Sequence, residues 1–287
     1  MPFTAADLVD RLDLEAIEHN IFRGENRDIG TGRIYGGQVL AQALVAADRT
    51  VEDDRPVHSM HGYFILPGDL DVPVVYFVDR LRDGGSFTTR RVTAIQHGRA
   101  IFNLSASFHR PEEGLEHQTD PPDVPDPESL RPELDLIREA ADRIPERLRD
   151  VLTQDRALDF RSVDDADPFD TSPRPPLQRY WVRAVGEVGE TPVHHQAVLA
   201  YASDYGLLVT SLRPHGMSFR DDRLMVASLD HSIWLHRPVR VDEWLLYCVD
   251  SPVACGGRGF ARGSFYDRAG RLVASVAQEG LVRLKSR

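Results

Sequence analysis

An internal repeat constrains this chain more than any other feature. Shifted by 172 residues, Gly84-Gly85 falls on Gly256-Gly257 and Gly98-Arg99 falls on Gly270-Arg271. Ala100-Ile101 falls on Leu272-Val273, and Ser105 lands next to the partner position of Gln278. His58-Ser59 lies one residue from register with His231-Ser232. Glycine pairs at such points mark tight turns between strands. A chain of 287 residues has room for one large domain or two ordinary ones. Two copies of about 100 residues joined by a connector fit the repeat better than one large unit. The boundaries read from the sequence are 1–110, 111–176 and 177–287.

Each copy opens with a helix-like run and continues in hairpins. In the first, Val39–Ala47 is rich in Ala and Leu and starts after Gly36-Gly37. The runs Val57–Leu66, Val72–Leu81, Ser86–Gln96 and Ala100–His109 follow, rich in β-branched and aromatic residues. In the second, Leu177–Val185 reads as a strand and Ala197–Leu212 begins as a helix. Leu224–Leu235, Trp244–Val253, Arg258–Tyr266 and Leu272–Leu284 read as strands. Leu8, Leu12 and Ile17 suggest a short N-terminal helix capped by Thr4. Between the copies, Pro111–Pro127 is Pro- and acid-rich, Glu133–Thr153 has helical spacing that Pro145 should split, and Asp155–Pro176 reads as loop. One helix against one curved antiparallel sheet is a hot-dog unit. It leaves sheet edges that a second copy covers. The expected fold is therefore α+β: a double hot-dog, two antiparallel sheets each wrapping a helix, fused as a pseudo-dimer.

Charge narrows the partners. The net charge of −11 argues against nucleic acid, whose phosphates require a basic surface. Residues 111–172 hold 19 Asp and Glu against 7 Arg, a local net of −12, which leaves the remainder at +1. The two copies are thus nearly neutral and do not repel an anionic ligand. Two cysteines, Cys248 and Cys255, make no disulfide framework and fit a reducing compartment. No apolar run is long enough to span a bilayer, and Met1–Glu15 lacks the pattern of a secretory signal. A cytoplasmic protein is expected.

Four separated motifs carry a family likeness. They are Arg33-Ile34-Tyr35-Gly36-Gly37-Gln38-Val39-Leu40-Ala41-Gln42-Ala43, His58-Ser59-Met60-His61-Gly62-Tyr63-Phe64 with Pro67-Gly68-Asp69, Leu229-Asp230-His231-Ser232-Ile233-Trp234-Leu235-His236, and Ala274-Ser275-Val276-Ala277-Gln278-Glu279-Gly280-Leu281. In this order the chain resembles the type II acyl-CoA thioesterase family from about Leu12 to Arg283. The resemblance implies a double hot-dog, hydrolysis of fatty acyl-CoA to free fatty acid and CoA, and a water-activating trio that maps onto Asp204, Ser228 and Gln278. The family often has Thr where Ser228 stands. No metal or cofactor is implied, acyl-CoA is the expected partner, and a homo-oligomer is expected because unpaired faces and edges invite pairing.

Read without the resemblance, each of the three has an ordinary explanation. Gln278 is a lone amide on an otherwise apolar strand face. Asp204 stands near an apparent helix start and fits an N-cap. Ser228 is an ordinary strand serine. Gly36-Gly37 fits close helix–sheet packing, or bare amides offered to a carbonyl or phosphate oxygen. His58 and His231 read as structural. The rivals are a non-catalytic acyl-CoA-binding protein and a hot-dog enoyl-CoA hydratase. The hydratase pattern places His five residues after the Asp, where this chain has Val209. A Ser-His-Asp hydrolase is disfavoured because no Gly-x-Ser-x-Gly occurs.

Overall fold

The glycine-punctuated hairpins recur in the computed structural model, which describes residues 3–30, 32–164, 167–219 and 221–285. The first copy comprises α1 (Ala5–Leu12), β1 (Glu15–Glu18), β2 (Ile21–Gly24), α2 (Gly36–Asp48), β3 (Val57–Phe64), β4 (Val74–Asp83), β5 (Phe87–Gln96) and β6 (Arg99–His109). The connector carries α3 (Glu133–Glu139) and α4 (Glu146–Thr153). Then come β7 (Leu158–Ser162), β8 (Leu177–Ala184), α5 (Pro192–Ser203), α6 (Leu207–Leu212), β9 (Leu224–Ser228), β10 (Asp230–Leu235), β11 (Leu245–Cys255), β12 (Arg258–Tyr266) and β13 (Leu272–Leu284).

The strand order is β1-β2-β4-β5-β6-β3-β10-β13-β12-β11-β8-β7, with β9 pairing on β13 outside this path. Read from either end, the order runs through equivalent strands and mirrors across β3·β10. The two expected sheets are therefore one continuous sheet. β3 and β10 would each leave an unpaired row of backbone groups, and they satisfy each other. Inside this wrap α2 and α5 pack side by side. Nearly all of α2 is buried, and its Ala41, Ala43, Ala46 and Ala47 let neighbours come close.

Side chains make the duplication visible. Asp79 pairs with Arg91 at 2.8 Å across β4·β5, and Asp250 with Arg262 at 3.0 Å across β11·β12. Tyr76 and Tyr247 are buried at matching places. These equivalences have a shift of 171, under which Gly85 corresponds to Gly256 and not Gly257, and the shift becomes 172 past the β12–β13 turn, which carries one extra residue.

Several elements depart from the sequence reading. Thr4 does cap α1, in a capping box with Asp7, but α1 ends at Leu12 and Ile17 lies exposed on β1. The stretch expected as loop contains β7, five residues paired with β8, too short to show periodicity. Ala197–Leu212 is broken after Ser203, and Gly206, with a φ of +81°, caps the start of the next helix. Leu224–Leu235 is two strands, broken at Leu229. Pro145 precedes α4, which agrees with the expected split. The acidic connector is strapped to the second copy. Gln118 Nε2 donates to the Gly270 carbonyl, Gln118 Oε1 accepts from the Leu272 amide, and Arg268 holds Glu128 at 2.7 Å.

Candidate active site

Three distant segments meet where the N-terminus of α2 faces the C-terminus of α5. Asp204 directly follows α5 as its C-cap, which corrects the expectation of a helix start. That is an unfavourable end for a carboxylate, because the helix dipole is negative there. The compensation comes from the other copy. The Gly37 amide in the first turn of α2 donates to Asp204 Oδ2 at 2.9 Å. On the other side Gln278 Nε2 donates to Asp204 Oδ1 at 2.6 Å and to Ser228 Oγ at 3.2 Å. Ser228 ends β9 and sits opposite Gly280, two residues along β13 from Gln278. The expected trio is thus one hydrogen-bonded cluster, and it needs both copies of the repeat.

Burial dominates its electrostatics. It pushes the Asp204 carboxyl up to about 6, against the opposing hydrogen bonds from Gln278 and Gly37. Gln278 is 2% exposed, and its Oε1 has no hydrogen-bond partner among the described residues. An unpaired buried acceptor costs about 1–3 kcal/mol. It is the group that a water or substrate donor would satisfy.

The two glycines are required by close approach. A Cβ at Gly36 would stand 2.7 Å from Asp204 Oδ2 and 3.0 Å from the Phe64 ring. A Cβ at Gly37 would meet the Tyr201 carbonyl and the Tyr35 ring. The Gly37 amide is therefore committed to holding Asp204.

His231 is a further member of the cluster that sequence reasoning set aside as structural. It is fully buried on β10. Its Nδ1 lies 3.4 Å from Gln278 Nε2, and its Nε2 lies 2.9 Å from Ser203 Oγ. The signal in the sequence was alternation, since His231 shares the inward face of β10 with Ile233 and Leu235. His58 is not its counterpart. The register breaks at His58, between Val57 and Ser59, and His58 bonds Ser107 at 2.8 Å instead. The register Gly62↔His231 and Met60↔Ile233 makes Met60 the true equivalent. Met60 pairs with Ala106, the equivalent of Gln278. The first copy thus has Met and Ala where the second has His and Gln, so the amide–imidazole pair occurs in the second copy alone.

Fold and site together define a double hot-dog enzyme with one composite polar centre at its seam. The family model described as "Acyl-CoA thioesterase" matches residues 157–281, and that of the "Acyl-CoA thioesterase N-terminal domain" matches residues 25–109. Acyl-CoA thioesterase 2 of Haemophilus influenzae is 40% identical over 96% of this chain and 97% of its own length. Acyl-coenzyme A thioesterase 8 of Mus musculus is 41% identical over 96% of this chain and 88% of its own. The crystal structure of the acyl-CoA thioesterase II TesB2 from Mycobacterium marinum has a TM-score of 0.79 and 40% identity, covering 97% of this chain and 99% of that one. The chain belongs to the acyl-CoA thioesterase family.

Proposed function

We propose that this protein hydrolyses fatty acyl-CoA thioesters to free fatty acid and CoA, and that Asp204, Ser228 and Gln278 activate the water. The observation that carries the reading is the buried Asp204–Gln278–Ser228 cluster with the acceptor Gln278 Oε1 left over. One water hydrogen is directed to that oxygen, and Asp204 takes the other as the water oxygen adds to the thioester carbonyl. Collapse of the adduct breaks the carbon–sulfur bond and releases a thiolate. With a thiol pKa near ~8.5 the leaving group needs no strong acid, and the proton on Asp204 returns to it or to solvent. No acyl-enzyme forms. At the start of α2 the Gly36 amide is the oxyanion donor, since that of Gly37 holds Asp204.

A thiol-capture assay on acyl-CoAs of graded chain length tests the activity. Thiol release above the uncatalysed rate supports it. Binding with no release over hours would instead favour a binding protein. The hydratase reading is weaker here because Val209 lies on α6 and both ring nitrogens of His231 face protein groups.

Two results are expected of the wild type and a simple variant. Asp204 acts as a carboxylate, so protonation removes the base. The kcat/KM profile falls on the acid side with a midpoint of about 6 and loses about tenfold per unit below it. Ser228→Ala removes one hydroxyl partner of the Gln278 amide. It lowers kcat about tenfold, the worth of one hydrogen bond of ~1.4 kcal/mol, as read in the same assay.

A further inference from the structure

We propose that His231 is a positioning residue for this hydrolysis, holding the Gln278 amide with Nε2 toward Asp204 and Ser228 and Oε1 left for the attacking water. The inference rests on the functional reading above. Its first support is the tautomer. The Ser203 hydroxyl donates to the Ala200 carbonyl at 2.8 Å, so it accepts from His231 Nε2–H at 2.9 Å. That leaves Nδ1 unprotonated and able to accept from Gln278 Nε2. Burial pushes the imidazole pKa down to about 3, which keeps it neutral.

The second support is what a flipped amide would meet. Rotating Gln278 by half a turn would set Oε1 against the Asp204 carboxylate and the lone pair of His231 Nδ1. The Ser228 hydroxyl serves either orientation, but the Asp204 carboxylate and His231 Nδ1 can only accept and together leave one. The third support is the repeat itself. Met60 occupies the equivalent place in the first copy, opposite Ala106. The fold therefore does not need a histidine at this register, and the histidine stands beside Gln278.

Three substitutions separate the two ring nitrogens. His231→Asn keeps an acceptor at the Nδ1 place, His231→Gln keeps only the distal group that faces Ser203, and His231→Leu keeps neither. With thiol-capture kinetics and melting curves in hand, His231→Leu and His231→Gln should lower kcat about 30-fold with KM within about twofold. His231→Asn should stay within about fivefold of the wild type, and every variant should keep the acid limb near that of the wild type because Asp204 remains the base. Unchanged kcat in a folded His231→Leu protein overturns the proposal. So does equal loss in all three variants in step with their melting temperatures, or disappearance of the acid limb. If the wild type releases no thiol, the functional reading fails. If the wild type is active and Asp204→Asn is not, while the His231 variants match the wild type, only this inference fails.

Discussion

Asp204→Asn is expected to cut kcat/KM for acyl-CoA about a thousandfold, within the ~10²–10⁴ that a positioned general base contributes. The substitution keeps shape and volume and removes the carboxylate proposed to take the water's proton. One oxygen remains to accept from the Gly37 amide, which now bonds Asp204 Oδ2. The new amide nitrogen would face a donor in either orientation, Gln278 Nε2 or the Gly37 amide, so one of these donors loses its acceptor. The variant thus loses the base and one of the hydrogen bonds that hold the cluster together. A thousandfold corresponds to ~4 kcal/mol of transition-state stabilisation. KM should move little, because the substitution is isosteric. Thiol capture with the folded variant measures the effect, and turnover like that of the wild type would remove Asp204 from the mechanism.

The sheet was legible in the sequence because hairpins announce themselves locally. Glycine pairs, alternation and β-branched runs lie within a few residues of one another, and their recurrence showed two copies. Short elements were not legible. β1, β2 and β7 are four, four and five residues long, and no period emerges over so few. The site was legible only through the family likeness. Gln278 lies 74 residues from Asp204, and Gly37 lies 167 residues from it, and neither separation carries a periodic signal. What joins them is the mirror across β3·β10, which brings the start of α2 to the end of α5. The helix break after Ser203 also hid the true setting of Asp204. Read as mid-run it resembled an N-cap, but it is a C-cap that depends on the other repeat's amide. His231 could have been flagged from its inward face on β10, but the apparent match with His58 obscured it. Only the strand register shows Met60 as its counterpart.

Gln278→Glu is expected to change the pH profile as well as the rate. The new side chain is nearly isosteric, and it would place a carboxyl oxygen where Nε2 now lies 2.6 Å from Asp204 Oδ1. Two carboxylates that close cannot both ionise in a buried site, so they share one proton. Burial already raises Asp204 to about 6, and a second negative charge acts in the same direction. The pair therefore keeps its proton to higher pH, and the apparent value belongs to the pair rather than to either residue. At neutral pH the shared proton then sits on Asp204 in part of the molecules, and Ser228 has lost its amide donor. The expected result is a fall in kcat/KM at neutral pH of about tenfold, with an acid limb more than about one unit higher than that of the wild type. Activity should recover in part as pH rises through the new limb. A rate measured across pH on the folded variant decides it. A large loss with the limb left near its wild-type position would mean that Gln278 does not sit beside the ionising base during turnover. An upward displacement ties the amide, the carboxylate and the attacking water to one centre.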